Sequence, residues 1–182
     1  MSGPVDAYFS QNAYLPIQPK VRRNLLAIID STASQEVRRA AIEEAVYAYP
    51  LFSYNLLKLI NSPVYNLKTK VASLKQSATL PTFDKLAELI GAMPEYPAGL
   101  AGIFSLTRFE EHSRATAMTV QILATISRKF SSLDRERLVT AGLFHDIGRV
   151  FLLLSDPEGT GRLLKESERD PAVSVIENEK KY

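Results

Sequence analysis

The chain contains two histidines, and one of them directly precedes an aspartate in Gly142-Leu143-Phe144-His145-Asp146-Ile147-Gly148. The surrounding run is apolar and helix-like, continuing through Val150, Phe151 and Leu154. Burying unpaired polar groups in such a run costs on the order of 1–3 kcal/mol each, and more if they are charged. The pair is therefore expected either to bind something or to be satisfied internally. The other histidine, His112, lies 33 residues earlier. That separation accommodates a helix, a short turn and the start of an antiparallel partner, a hairpin able to gather both imidazoles and the Asp146 carboxylate around one point. Imidazole and carboxylate suit a divalent transition metal such as zinc, iron, nickel or manganese. The same three groups can also close a hydrogen-bond network in which Asp146 fixes an imidazole tautomer. A hydrolytic metal site needs three ligands plus an open position for water.

Gly142 and Gly148 stand three residues either side of His145. Each costs roughly 1 kcal/mol relative to alanine in a helix interior. They are read as close-packing positions, where a facing helix or a ligated metal approaches. Other acids, among them Asp156, Asp170 and Glu177, lie in polar segments and read as solvated surface; Asp84 reads as a helix-start charge and Asp134 as a capping group. There is no Ser-His-Asp arrangement, and Gly99 and Gly102 do not form a phosphate loop. Tyr47, Tyr49, Tyr54 and Tyr65 fit core and interface roles. Asn61 and Ser62 close an apolar helix, where capping and turn formation are favoured over ligand contact.

The elements that must position these groups read as helices throughout. The spacing predicts a first helix over 20–30, with Val21, Leu25, Leu26 and Ile29 on one face. Ser34 caps a second helix. A third, over 51–60, is apolar around most of its circumference and stops at Asn61-Ser62-Pro63, with Asn61 suited to a left-handed C-cap. Shorter helices follow at 71–79 and 82–92. Met93-Pro94-Glu95-Tyr96-Pro97 is the strongest internal break. A long helix over 105–129 carries His112, Ala115, Met118, Ile122 and Ile126 at helical spacing. Leu133-Asp134 opens a single His-Asp helix that runs to Asp156-Pro157, and one or two amphipathic helices fill 158–182. No segment alternates as a strand would.

Composition sets bounds on function. The 182 residues are 46% hydrophobic and 23% charged, with a net charge of +2 and no cysteine, which excludes a disulfide framework and any thiolate metal centre. Basic residues are interleaved with acids, without the basic stripe of a nucleic-acid binder, so no nucleic-acid partner is expected. No apolar run is read as approaching the ~18 residues that span a bilayer, and there is no signal-peptide core. The expectation is a soluble, cytoplasmic protein with no membrane partner.

Four segments occur in a telling order: Tyr49-Pro50-Leu51; Leu56 through Tyr65, with Asn61-Ser62 at its centre; Glu111-His112-Ser113; and Ala141 through Gly148. Together they resemble the HDOD domain, a bacterial signalling module related to the HD phosphohydrolases. The stretch Ala78 to Asp84 departs from the family's usual run. The resemblance implies an all-α, multi-helix HD-like bundle without significant sheet. Residues 1–14 would be a loose N-terminal segment and 15–182 a single domain, with an N-terminal helical part at 15–96 and an HD-like part at 97–182. His112, His145 and Asp146 match three positions of the HD metal motif; its final aspartate has no match before Tyr182. The family usually continues past a segment like Glu177-Asn178-Glu179 into a further helix. A domain truncated at its C-terminus, with a hydrophobic groove left uncovered, is therefore expected. The resemblance implies a non-catalytic regulatory domain that binds other signalling proteins or domains, or forms a homo-oligomer, and needs no cofactor. The alternative is a metal-dependent phosphohydrolase in which His112, His145 and Asp146 hold a divalent transition metal.

Overall fold

The computed structural model describes residues 13–169. The expected loose segment therefore falls almost wholly outside the described residues, as do Asp170, Glu177 and any helix beyond 169. The described architecture is all-α, and its β pairing is confined to an isolated bridge between Ile17 and Glu95.

Helix α1 (Pro19–Ile29) opens with proline at its first turn, where a missing N–H costs nothing, and buries Val21, Leu25 and Ile29 along one stripe. Helix α2 (Gln35–Ala48) starts at Ser34, whose hydroxyl accepts from the Val37 N–H. Helix α3 (Pro50–Ile60) buries Leu51, Phe52, Leu56 and Ile60 together with Ser53 and Asn55, as its nearly all-round apolar sequence requires. The two buried polar groups are satisfied. Ser53 donates to the Val46 and Tyr49 carbonyls. The Asn55 amide holds the Leu15 backbone at both its N–H (2.9 Å) and its C=O (2.8 Å).

The end of α3 corrects one expectation. Asn61 is not left-handed (φ −82°); the left-handed residue is Asn66 (φ 43°), after the 3-10 turn Pro63–Tyr65. Asn61 instead uses its side chain, accepting from the Val71 N–H and donating to the Val71 C=O, both at 2.8 Å. That pairing keeps residue 71 out of the next helix, so α4 (Leu74–Thr79) begins later than the spacing suggests, capped by Ser73. Helix α5 (Phe83–Ala92) is capped by Thr82. The break at 93–97 is irregular and sewn to the N-terminal lead-in. Ile17 donates to the Pro94 carbonyl, and Tyr96 donates to the Ile17 carbonyl, both at 3.0 Å. One buried apolar cluster extends from Leu15 to Val150 across this break.

Helix α6 (Leu106–Ser127) is capped by Ser105 and ends at left-handed Arg128. Helix α7 (Ser132–Phe144) returns antiparallel against it, the most extensive helix pair of the fold. Its N-cap is Ser131, which accepts from the Asp134 N–H at 3.1 Å, so Asp134 is a first-turn acid and not the cap. The single helix expected through His145-Asp146 is two helices. Residues 145 and 146 form a turn, and α8 runs over Ile147–Ser155. Helix α9 (Pro157–Arg169) packs on α8.

The bilayer expectation also needs correction. Taken as one run, Ser132–Ser155 is long and apolar enough to cross a membrane by length and composition. In the fold this run is broken at 145–146, and its apolar residues Val139, Leu143, Val150 and Leu153 are buried within the protein.

Candidate functional site

The close approach of α6 and α7 begins with Gly142. A Cβ there would stand 3.1 Å from Val120 Cγ2 and 3.2 Å from the Ala117 Cα, tighter than side chains normally pack. Glycine therefore lets the two helix backbones meet one turn before His145. Gly148 is different, since a Cβ there would meet nothing within 4 Å. It is not a close-packing position, because it lies past the turn that carries α8 away from α6.

Around this contact the structure brings His112, His145 and Asp146 together. Their ligand atoms lie within 4.8 Å of one another. His112 Nε2 faces His145 Nε2 at 3.0 Å, and Asp146 Oδ2 lies 3.7 Å from the former and 3.5 Å from the latter. The cluster is not buried in an apolar helix. It sits at the surface, with the His112 side chain 57% exposed and Asp146 22% exposed, because the helix ends where the pair begins. Asp146 occupies the N-cap position of α8 yet makes no cap hydrogen bond; its carboxylate turns to the imidazoles.

His145 Nδ1 lies 2.9 Å from the Gly142 carbonyl. A carbonyl only accepts, so Nδ1 carries the proton, and in the neutral ring Nε2 presents a lone pair to the cluster. This is the arrangement by which a backbone oxygen orients a metal-binding imidazole. Ligands held about 2.1 Å from one ion lie roughly 3.0–3.4 Å apart, close to the separations here. His112 and His145 through Nε2, and Asp146 through Oδ2, thus fit three positions around a divalent transition metal. Arg149 acts against this. Its guanidinium lies 3.3 Å from the same Asp146 Oδ2 and already pairs a positive charge with the oxygen a cation would use.

Arg149 escaped the sequence reading, although an acid and a base three residues apart on a helix are natural partners. So did the exposure of the outer face of α6. His112, Ala115, Met118, Ile122 and Ile126 share that face, and Met118 (61%), Ile122 (52%), Leu123 (61%) and Ile126 (71%) are all exposed. The signal was present: residues 115–127 contain no ionisable side chain. Asn61 and Ser62 serve the α3 end, where Asn61 holds Val71.

The HDOD domain family model matches residues 15–182. The chain belongs to the HDOD domain family. Among solved structures, one described as the MmoQ response regulator from Methylococcus capsulatus str. Bath is similar in fold, with a TM-score of 0.64 at 20% identity. The match covers 84% of this HDOD chain and 59% of that chain, so this chain spans less than two thirds of that chain's length. No curated protein matches.

Proposed function

We propose that this HDOD chain is a non-catalytic signal-transduction domain that acts by binding other proteins, working in the cytoplasm without a resident cofactor. The observation that carries this reading is the outer face of α6, where Met118, Ile122, Leu123 and Ile126 stand in solvent on a stretch without any ionisable group. Exposed apolar patches of this kind mark interaction sites, and charge depletion is the compositional sign of an interface centre. The face is continuous with exposed His112, so the polar cluster lies at its edge. Family membership and the response-regulator description of a structural neighbour support a role in signalling, and Arg149 on the Asp146 carboxylate supports a cluster that serves structure.

The test is association with the signalling proteins encoded beside this one, measured by co-purification and size-exclusion chromatography. Replacing Ile122 and Ile126 by glutamate is expected to abolish it. Association that survives both substitutions would remove the α6 face from the reading.

The convergence of three ligand atoms favours a second reading, a metal-dependent phosphohydrolase. A bound divalent ion would supply an activated water for attack on a phosphate ester, with His112, His145 and Asp146 as its holders. Stoichiometric metal in protein purified without chelator, together with hydrolysis of nucleotides or cyclic dinucleotides that is lost in His145→Ala, would replace the first reading with this one.

A further inference from the structure

We infer that the cavity between the end of α3, the turn at 63–65 and α5 binds a small uncharged organic molecule. That molecule is apolar but for one hydrogen-bond acceptor, such as a ketone or ester carbonyl, held by the Tyr65 hydroxyl. The cavity shares no lining residue with the outer α6 face or the histidine cluster, so it stands independently of both readings above.

Its walls follow from local rules of the chain. Helix α3 ends at Asn61, and Ser62 leads into the 3-10 turn Pro63–Tyr65, which closes on left-handed Asn66. Backbone hydrogen bonds from Tyr65 to Ser62 (3.2 Å) and from Asn66 to Pro63 (3.1 Å) fix that turn. On the other side Thr82 caps α5, and this helix offers Lys85, Glu88, Leu89 and Ala92 to the same space. The walls bound about 470 Å³, within the range of small-molecule sites.

Most of the lining is apolar, from Leu59, Val64, Leu80, Leu89 and Ala92. Val64 is 78% exposed and Leu80 45% exposed, so apolar surface stands in water here and gains by being covered.

The polar groups define what the cavity accepts. Lys85 Nζ lies 2.6 Å from Glu88 Oε2, so the two charges that line the cavity match each other and call for no ionic ligand. Tyr65 Oη differs, being shut off from water and without a hydrogen-bond partner. Burial is the largest influence on this phenol and raises its pKa, with Lys85, Glu88 and the Tyr14 phenol also acting on it. At neutral pH it is therefore a protonated donor that lacks an acceptor, a state that is unfavourable for a buried polar group. A carbonyl oxygen supplies the acceptor. The Lys85 and Glu88 side chains are 49% and 64% exposed, and a surface pair of this kind moves aside at little cost to admit it.

The experiment uses the full chain and prodan, an uncharged fluorescent naphthyl ketone whose emission shifts to the blue when it leaves water. Saturable blue-shifted emission is expected, with acetylnaphthalene competing better than ethylnaphthalene or naphthoate. Tyr65→Phe should weaken acetylnaphthalene roughly fivefold and leave ethylnaphthalene unchanged, a split that loss of folding does not produce. Ala92→Trp, at an exposed position, should abolish uptake by filling the cavity, whereas Ile122→Glu with Ile126→Glu should leave uptake unchanged. If Ala92→Trp fails to fold, the Tyr65→Phe split decides. Uptake that survives a folded Ala92→Trp, or that is lost with the α6 glutamates, puts the probe elsewhere and overturns the inference. Equal affinity for acetylnaphthalene in the parent and Tyr65→Phe, or tighter binding of naphthoate, overturns the assigned ligand class. No uptake by the full chain shows the cavity closed to a free ligand, by residues 1–12 or otherwise, and overturns the site.

Discussion

His112 and His145 meet Nε2 to Nε2 at 3.0 Å although 33 residues separate them. The contact exists because α6 and α7 run antiparallel and because Gly142 lets α7 settle onto Ala117 and Val120. The carbonyl of that same glycine then fixes the His145 ring through Nδ1. A packing position and a chemical position are thus one turn apart on the same helix.

Arg149 and a metal ion compete for Asp146 Oδ2, which the guanidinium approaches to 3.3 Å. Removing the guanidinium in Arg149→Ala should tighten zinc or manganese binding about tenfold, or ~1.4 kcal/mol. Isothermal titration of the variant and the parent checks this, with His145→Ala as the variant that should lose binding. Equal affinities in parent and Arg149→Ala would mean that the arginine does not govern the cluster.

The two glycines should respond in opposite directions. Gly142→Val places atoms against the Ala117 backbone, 3.2 Å from its Cα, and should destabilise the fold by about 3 kcal/mol, as overpacking does. Gly148→Ala meets nothing within 4 Å and should stabilise α8 by roughly 0.5 kcal/mol through helix propensity. Paired denaturant melts decide both.

Glu110 is buried on α6, where it accepts a hydrogen bond from Gln18 at 3.3 Å. Desolvation pushes its carboxyl from 4.5 up to about 7, partly opposed by Arg114. The folded state therefore binds the proton more tightly than the unfolded chain. The contribution of this group to stability is fullest below pH 4.5, and it is lost as pH rises from there through about 7. Glu110→Gln removes the charge and keeps a hydrogen-bonding group. It should stabilise the protein by about 2 kcal/mol at pH 8 and by almost nothing at pH 4. Melting curves across that range should show the difference closing as pH falls; a constant difference would contradict the burial argument.

Asn61 holds the Val71 backbone by two hydrogen bonds of 2.8 Å. Asn61→Ala leaves both backbone groups in search of partners and should cost about 2–3 kcal/mol. Hydrogen exchange would localise the effect, since the Val71 amide should lose its protection while the α6 amides keep theirs.

Much of this fold is legible in the sequence because it rests on local rules. Ser34, Thr82, Ser105 and the proline-led starts of α1 and α3 state where helices begin, since caps and proline act within one turn. The periodicity of α1 and the all-round apolar α3 likewise state which faces turn inwards. The candidate cluster was legible as a set of residues, because two histidines and one adjacent aspartate leave few ways to build a polar site. The misreadings lie where a local rule has two solutions. Asn61 could close α3 through its backbone or through its side chain, and it uses the side chain because Val71 is brought within reach. The run through His145-Asp146 could continue as helix or break. It breaks where Asp146 turns its carboxylate towards two imidazoles and Arg149 in preference to the α8 amides.

The sequence alone determined the helical class, the helix start at Ser34, and the identity of His112, His145 and Asp146 as the groups with chemistry to offer. These follow from periodicity, from composition and from side chains acting on their near neighbours in the chain. Only the tertiary structure decided that Gly142 packs closely and Gly148 does not, that Arg149 shares the Asp146 carboxylate, and that Met118, Ile122 and Ile126 face outwards. A stripe of apolar residues at helical spacing shows that a helix has an apolar face. Which face the protein covers depends on residues far away in the chain, and on α6 those residues cover the face opposite Ile122.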